Sequence, residues 1–586
     1  MTSQDNFTKP RTTHRAKEAL RIALVFANGY CVSLAAGQNT FEAVVRSGIQ
    51  TLEAGSYALG RRSRMMHVAR LFETLLRTLR LRLYGCRTVV QMSFRFAVVL
   101  VLIASFISIQ GCQVGPRYVA PSMPAPPTFK ETQPQQSADG TVWTPATPQD
   151  AVLRGKWWEL YQEPELNALE EKLNVANQNI AQSFQNFMAA RAQVKEARAA
   201  YYPTVTVEPS YTRARTSGNA SGQSSATTGT VNQNSNSFSL PFDVSWEPDV
   251  WGKIRNSVRE YANAAQASAA DLANERLSEQ ANLAQYYFEL RGQDALINLY
   301  QQSVVAYQKN LDLTKIRSST GVDDEQSVAQ AKLNLTNAIA ATTNLRIARA
   351  QYEHAIALLI GEPASSFSMP KRALDTKVPA IPIGVPSQIL QRRPDIASAE
   401  RKMAEANALI GVETAAYYPS FNIGGDLGLQ SNKIGSLFTW PSRFFSLGPS
   451  ASETLFDGGL RRGTLNQYKA QYKADEASYR QTVLTAFQQV EDYLASDRWL
   501  EQQRGEQQES VAAARRYYDL ASIRYKTGVD TYLNVFVAEA SLLSDQQTAV
   551  SLHVQQMTSS VQLIEALGGG WDTTQLPTEK AVAAKQ

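Results

Sequence analysis

Two hydrophobic patterns alternate along the chain and predict two kinds of element. Four short runs alternate apolar and polar side chains with a period of two, the pattern of strands whose faces meet different surroundings. Each run is about 9–11 residues long, the length of a tilted strand that crosses a bilayer. The apolar members are Val205, Val207 and Tyr211; Phe238, Leu240, Phe242, Val244 and Trp246; Phe421, Ile423, Leu427 and Leu429; and Phe445, Leu447, Ala451 and Leu455. The alternative is a pair of amphipathic hairpins in a soluble sandwich.

The segments that follow each pair of strands carry a helical pattern. Residues 249–362 and 450–576 contain no proline. The 67 residues from Lys253 to Ser319 would form one helix about 100 Å long at 1.5 Å per residue. Its apolar stripe follows three/four spacing with one break at Asp294: Tyr287, Leu290, Ile297, Tyr300, Val304, Tyr307 and Leu311. We predict a coiled-coil-like hairpin in each half of the chain, reversing at Gly321 and at Gly528.

These elements occur twice, which predicts an internal structural repeat. The sequence A-A-Y-Y-P at 199–203 returns at 415–419, and I-R-S-S-T-G-V-D at 316–323 is matched by I-R-Y-K-T-G-V-D at 523–530. A Ser-, Gly- and Thr-rich stretch from Arg213 to Ser237 predicts a solvent loop. The predicted domains are a first copy over 153–363 (helix, strand, strand, long helix, helix), a linker and equatorial segment over 364–388, a second copy over 389–570 and a C-terminal tail over 571–586.

A secretory signal precedes the two copies. Residues 92–111 contain Arg95, a long apolar run and a small residue before Cys112, which is the layout of a signal peptide. The ending I-Q-G-C at 109–112 resembles a bacterial lipobox. We therefore predict that Cys112 becomes the first mature residue and carries N-acyl and S-diacylglycerol groups, which hold it at a bilayer. The alternative is an ordinary cysteine behind a short core helix.

The regions on either side of this signal are predicted to lack a globular fold. Residues 1–91 precede it, and we interpret them as a mis-assigned or non-structural N-terminal extension; a genuine extension is the alternative. Residues 112–152 contain eight prolines and predict an extended, lipidated tether. The net charge of +5 comes from residues 1–91, which hold 14 Lys and Arg against 5 Asp and Glu. The rest is acidic, so no nucleic-acid partner is predicted.

The residues that carry catalytic chemistry are sparse. After the signal, the histidines are His354 and His553, and neither has the spacing or the cysteine partners of a metal site. No phosphate-binding G-x-x-x-x-G-K-[ST] loop occurs. We expect no enzyme activity, no cofactor and no metal.

Seven motifs between 112 and 573 together resemble one family. They are Cys112, W-W-E-L-Y at 157–161, Q-R-R-P-D-I at 391–396, A-A-Y-Y-P-S at 415–420, L-F-D-G-G at 455–459, R-Y-K-T-G-V-D at 524–530 and A-L-G-G-G-W at 566–571. The chain thus resembles the outer-membrane efflux lipoproteins of the TolC, OprM and NodT type, the exit ducts of tripartite pumps. The resemblance implies an α+β membrane protein of the Gram-negative outer membrane. It implies a homotrimer with a twelve-stranded β-barrel, four strands per chain, continued by a long periplasmic α-helical barrel.

The same resemblance implies partners and a gate. The partners would be a periplasmic adaptor (membrane fusion protein), an inner-membrane RND-type transporter and outer-membrane lipid. The gate would lie where the helical hairpins reverse, and its candidate residues are Asp323, Asp324, Asp530, Tyr532, Leu533 and Asn534. We expect Leu533 to form part of the constriction and the aspartates to supply its charge. The alternative is that Asp323 and Asp530 only cap the returning helices.

Three function classes remain to be compared. We predict a passive exit duct for drugs or other small molecules. A type I-like protein secretion duct would use the same fold, and a periplasmic adaptor would also carry a lipid and a helical hairpin. An adaptor is expected to have one hairpin, whereas this sequence has two hairpins and four amphipathic strands.

Overall fold

The computed structural model describes most of the chain after the predicted signal: residues 113–132, 155–215, 234–381 and 386–584. The predicted extension over 1–91, the signal peptide over 92–111 and Cys112 lie outside the described residues, as does much of the tether.

Helices make up most of the described chain. They are α1 Pro164–Ala176, α2 Gln178–Ala199, α3 Lys253–Ser319, α4 Glu325–Leu359, α5 Pro386–Arg392, α6 Pro394–Ala415, α7 Leu460–Lys526, α8 Tyr532–Ala566 and α9 Glu579–Val582. The prediction of one helix from Lys253 to Ser319 is confirmed. Helices α3 and α7 each have 67 residues, and their return helices α4 and α8 each have 35. No helix in the described ranges has both the length and the hydropathy needed to cross a membrane.

The strands form one antiparallel sheet. They are β1 Thr204–Val207, β2 Ser210–Arg215, β3 Asn234–Trp246, β4 Ser420–Ser431 and β5 Arg443–Ser452. Both β1 and β2 pair with β3, which pairs with β4, and β4 pairs with β5. The first predicted strand is thus split at Pro209, which has no N–H to donate to a ladder. The predicted loop over Arg213–Ser237 is too long, because its first three and last four residues are in β2 and β3.

The two faces of the sheet differ in polarity, as the residues paired across the strands show. One row of directly paired side chains is apolar: Val207, Phe242, Leu427 and Phe445. The next row, on the opposite face, is polar: Thr206, Asp243, Asp426 and Ser446. Because successive side chains alternate between faces, the period-two pattern of the sequence becomes an apolar face and a polar face.

The helices pack as two hairpins side by side. Helix α3 contacts its return helix α4 and also α8, while α8 contacts its own partner α7. Nearer the sheet, α3 lies between α2 and α6, and α6 contacts α7. This order leaves α2 and α4 at one lateral edge of the described chain and α7 at the other. The sheet ends in the same way, with β1 and β2 at one edge and β5 at the other.

The described start of the tether is extended but packs against the body of the protein. Val114 N donates to the Trp251 carbonyl oxygen at 3.0 Å, and Asn256 Nδ2 donates to the Val114 carbonyl oxygen at 3.0 Å. Gly115 meets Gly411 of α6 so closely that a Cβ on Gly115 would be 2.6 Å from the Gly411 Cα. We call residues 113–132 the strap, because this segment is docked and is not a free spacer.

Candidate functional site at the paired helix turns

The first hairpin reverses over residues 320–324. Gly321, at φ +78°, supplies the left-handed conformation that ends α3. Beyond it, Asp323 accepts a hydrogen bond from Arg317 Nε at 3.0 Å, and this ion pair is largely shielded from solvent. Asp324 caps α4, because its Oδ1 accepts from Ser327 N at 2.9 Å and from Ser327 Oγ at 2.7 Å. These two hydrogen bonds lower the pKa of Asp324.

Tyr525 on α7 joins the two hairpins near their tips. Its hydroxyl donates to Asp323 Oδ2 at 2.6 Å, and Arg317 Nη1 donates to the Tyr525 carbonyl oxygen at 3.2 Å. The Arg317 guanidinium also lies 4.4 Å from the centroid of the Tyr525 ring. Burial and the hydrogen bond to Asp323 raise the pKa of Tyr525, so its hydroxyl stays a donor at neutral pH. We call Arg317, Asp323 and Tyr525 the hairpin clasp.

The second turn, over residues 527–531, repeats the ion pair without a tyrosine. Gly528 has φ +75°, and Asp530 Oδ2 accepts from Arg524 Nε at 3.1 Å. Asp530 Oδ1 accepts from Asn534 Nδ2 at 2.6 Å and from Thr531 N at 2.9 Å. The backbone hydrogen bond from Thr531, followed by those from Asn534 and Arg524, lowers the pKa of Asp530. Arg524 keeps 59% of its side-chain surface exposed.

The other candidate gate residues have different surroundings. Tyr532 is buried against Tyr525, with the rings 5.6 Å apart in a T-shaped contact. Leu533 is 60% exposed, and Val537, one turn further along α8, is also exposed. The structure thus brings Asp323 into contact with Arg317 and Tyr525. It places Asp324 as a helix cap and leaves Leu533 exposed on the surface of the single chain.

Sequence reasoning missed Arg317 and Tyr525. A signal for the ion pairs was present, since both copies carry an arginine six residues before the aspartate, Arg317 with Asp323 and Arg524 with Asp530. No such signal marks the tyrosine, because the repeat places Ser318 at the position that corresponds to Tyr525.

Comparison with known proteins assigns the chain to a family. The family model described as "Outer membrane efflux protein" matches residues 169–362 and 385–569. The chain belongs to the outer membrane efflux protein family. It is an outer-membrane protein that extends into the periplasm and serves as the exit duct of an efflux system.

Individual relatives are similar to this chain over most of its length. The antibiotic efflux pump outer membrane protein ArpC of Pseudomonas putida is 30% identical over 466 residues, which is 79% of this chain and 93% of ArpC. The toluene efflux pump outer membrane protein TtgC, also of Pseudomonas putida, is 29% identical over the same shares. The solved structure of the outer-membrane channel OprN is 28% identical and has a TM-score of 0.71, covering 78% of this chain and all of OprN.

Proposed function

We propose that three copies of the chain form one passive duct, with a twelve-stranded barrel in the outer membrane and a helical barrel through the periplasm. The observation that carries this proposal is the sheet, which has an apolar face, a polar face and unpaired lateral edges at β1–β2 and at β5. Unpaired edges are not stable in hydrocarbon, so a ring of copies is needed to pair them. The apolar face then contacts lipid and the polar face lines the lumen.

The edges of the helical region support the same arrangement. Helices α4 and α7, which lie at opposite edges, each expose large apolar side chains in the single chain: Leu333, Ile347 and Leu358 on α4, and Trp499, Tyr517, Leu520 and Ile523 on α7. In a ring, α4 of one copy lies against α7 of the next, and these side chains leave water.

The internal repeat and the domain scheme are part of this proposal. Equal lengths in corresponding helices support them: 22 residues in α2 and α6, 67 in α3 and α7, and 35 in α4 and α8. Three copies of a twofold repeat give six similar hairpins, which suits closure into a tube.

The anchor is proposed at Cys112. Its neighbour Gln113 donates an amide hydrogen bond to Asn256 near the start of α3, directly below the sheet. Docking of the strap would therefore hold the attachment point at the end of the sheet where the long helices begin, and the membrane surface would lie there. Lipid chains on Cys112 would then enter the leaflet next to the strands.

We further propose that the two turns form the periplasmic gate. The hairpin clasp holds the hairpins of one chain together. The repeat places Ser318 where Tyr525 would be needed, so α3 of the next copy offers no tyrosine to Asp530 of the second turn. Opening of the tube at these turns would require both contacts to loosen, the clasp within each chain and the weaker contact between copies. Leu533 supplies apolar surface at the constriction, and Asp530 and Asn534 supply polar groups held within the second turn.

The cargo is proposed to be drugs or other small molecules, delivered by an inner-membrane RND-type transporter through a periplasmic adaptor. The names of ArpC and TtgC refer to antibiotics and to toluene, and both relatives match this chain about equally well. A wide polar lumen binds cargo weakly, so selection is assigned to the transporter.

The test is growth of a deletion strain and its complemented parent on amphiphilic drugs, dyes, detergents, organic solvents and metal ions. We expect hypersensitivity to several amphiphiles, restored by the intact gene and not by the empty vector. Unchanged growth across the panel, with loss of a secreted protein from the medium, would overturn the small-molecule proposal in favour of a protein secretion duct.

A further inference from the structure

The apolar face of the sheet becomes basic towards one end. We call this the loop end, because β2 ends and β3 begins there and residues 432–442 join β4 to β5 there. The opposite end, where the long helices begin, is the helix end. Arg213 and Arg215 lie two and four residues after Tyr211 on β2, so all three side chains are on one face. Arg443 lies two residues before Phe445 on β5 and shares its face. All three arginines therefore lie on the apolar face, at the loop ends of the two edge strands.

The charge at the loop end is of one sign. The described residues 209–215, 234–242 and 427–446 contain Arg213, Arg215, Lys433 and Arg443 and no aspartate or glutamate. The two carboxylates in the middle of the sheet, Asp243 and Asp426, are on the polar face. At the helix end the charges are balanced, because Glu247 pairs with Lys253, Asp249 with Arg255, and Glu453 and Asp457 with Arg461.

The loop after β4 presents an aromatic side chain beside one of the arginines. Trp440 is 80% exposed, and the guanidinium of Arg443 lies over its ring. Arg443 Nε donates to the Trp440 carbonyl oxygen at 3.2 Å. Hydroxyl groups hold this loop in place, with Ser431 Oγ and Ser436 Oγ 2.7 Å apart and Thr439 Oγ1 donating to the Ser436 carbonyl oxygen at 2.7 Å. An indole and a cation at the limit of an apolar face are typical of a lipid headgroup boundary.

We propose that Arg213, Arg215 and Arg443 bind the phosphate groups of the lipopolysaccharide in the outer leaflet. This inference rests on the proposed barrel, in which β5 of one copy adjoins β1 and β2 of the next. Each junction then brings Arg443 of one copy to the same edge as the other two arginines of its neighbour. Guanidinium groups bind phosphate through paired hydrogen bonds, and at this end an outer leaflet of phosphorylated glycolipid supplies that group.

The test uses the purified, full-length oligomer and bisphosphorylated lipid A as the probe, with bound lipid counted by native mass spectrometry. The variant is R213Q/R215Q/R443Q, and the matched control is R462Q, which removes an exposed arginine at the helix end. We expect the triple variant to bind lipid A on the order of 100-fold more weakly, at about fivefold for each arginine, and the control to bind as the wild type does. The single variant R443Q should bind lipid A about fivefold more weakly. It tests the proposal if the triple variant does not assemble.

Three results would overturn the lipid contact: unchanged lipid A affinity in the variants, equal binding of lipid A stripped of its phosphates, or equal displacement by phosphatidylglycerol. Oligomer mass and conductance are measured on the same samples. A conducting trimer whose triple variant binds lipid A normally contradicts only the lipid contact. Arginine-dependent binding by a wild-type chain that neither trimerises nor conducts contradicts the proposed duct.

Discussion

Asp294 interrupts the apolar stripe of α3, and its contacts explain why the helix continues through it. Its two carboxylate oxygens accept hydrogen bonds from Arg349 Nε at 2.6 Å and from Arg291 Nη1 at 3.1 Å. A buried carboxylate without such partners would be strongly destabilising. The sequence indicates the anomaly at Asp294, but its partners come from α3 and from the return helix α4, 55 residues further on.

The hairpin clasp leads to a prediction at the scale of single residues. Tyr525→Phe removes the hydroxyl that donates to Asp323 and keeps the ring that packs under Arg317. A hydrogen bond to a charged group contributes about 1.5–3 kcal/mol, so we expect open probability in planar bilayers to rise by about tenfold or more. The matched control is Tyr468→Phe, at a half-buried tyrosine on the same helix, far from the turns. Conductance that is unchanged by Tyr525→Phe, Leu533→Ala and Asp530→Ala alike would contradict a gate at the turns.

Burial of Glu539 predicts a pH dependence of the helices next to the two turns. It is buried on α8 and accepts a hydrogen bond from Asn310 Nδ2 at 2.9 Å, and burial raises its pKa from 4.5 to about 7. Because the neutral form is favoured when folded, its contribution to stability is complete below pH 4.5 and is lost as the pH rises to about 7. The loss is on the order of 3 kcal/mol.

Glu539→Gln keeps the shape of the side chain and cannot ionise. Amide hydrogen exchange in α8 should therefore match the wild type at about pH 4.5 and be slower than in the wild type at about pH 8. The same difference between the two proteins at both pH values would show that Glu539 does not titrate in this range.

At the scale of elements, the register between strands determines which apolar side chains share one face of the sheet. The sequence predicts alternation in each run, but only the pairing of β1, β3, β4 and β5 places four apolar side chains in one row. A shift of one residue in any strand would reverse its faces. The extended tether was predicted as well, whereas its docking as a strap was not, because Gly115 and Gly411 are far apart in the sequence and become neighbours only in the folded chain.

Gly411→Ala tests the docking of the strap. A Cβ at this position would lie 2.6 Å from Asn256 Nδ2, and this amide also holds the Val114 carbonyl oxygen. We expect a loss of about 1–3 kcal/mol and faster proteolysis within residues 113–132. Gly463→Ala is the control, since this glycine is also helical and has open space around it; it should be neutral or stabilising by up to about 1 kcal/mol. Equal protease resistance in the two variants would contradict a docked strap.

At the scale of the whole molecule, the single chain leaves its sheet and its helical region without a neighbour on the same two sides. The sheet and the helical region both end at the same two sides, one formed by β1, β2, α2 and α4 and the other by β5 and α7. Apolar side chains remain exposed there, with Phe445 at 85% and Leu447 at 79%. Assembly in a membrane would give these surfaces either lipid or a second copy as a neighbour.

Two adjacent residues of β5 test that assembly. Leu447→Lys places a charge on the apolar face, and Ser446→Lys places the same charge on the polar face, beside Asp426. A basic residue that faces lipid near the middle of the bilayer costs about 2–4 kcal/mol. We expect Leu447→Lys to reduce the outer-membrane trimer severalfold in fractionated membranes and Ser446→Lys to leave its amount unchanged. Equal amounts of trimer in both variants would argue against a lipid-facing apolar face.

The sequence by itself determined the elements of this protein, because periodicity and proline content act over a few residues. The absence of proline and a three/four stripe specified the helix over Lys253–Ser319. Alternation specified the strands, although the break at Pro209 was overlooked. Only the tertiary structure decided which residues meet, because Tyr525 reaches Asp323 across 202 positions and the strap reaches α6 across 291. Such contacts depend on the packing of whole elements, and no local pattern in the chain records them.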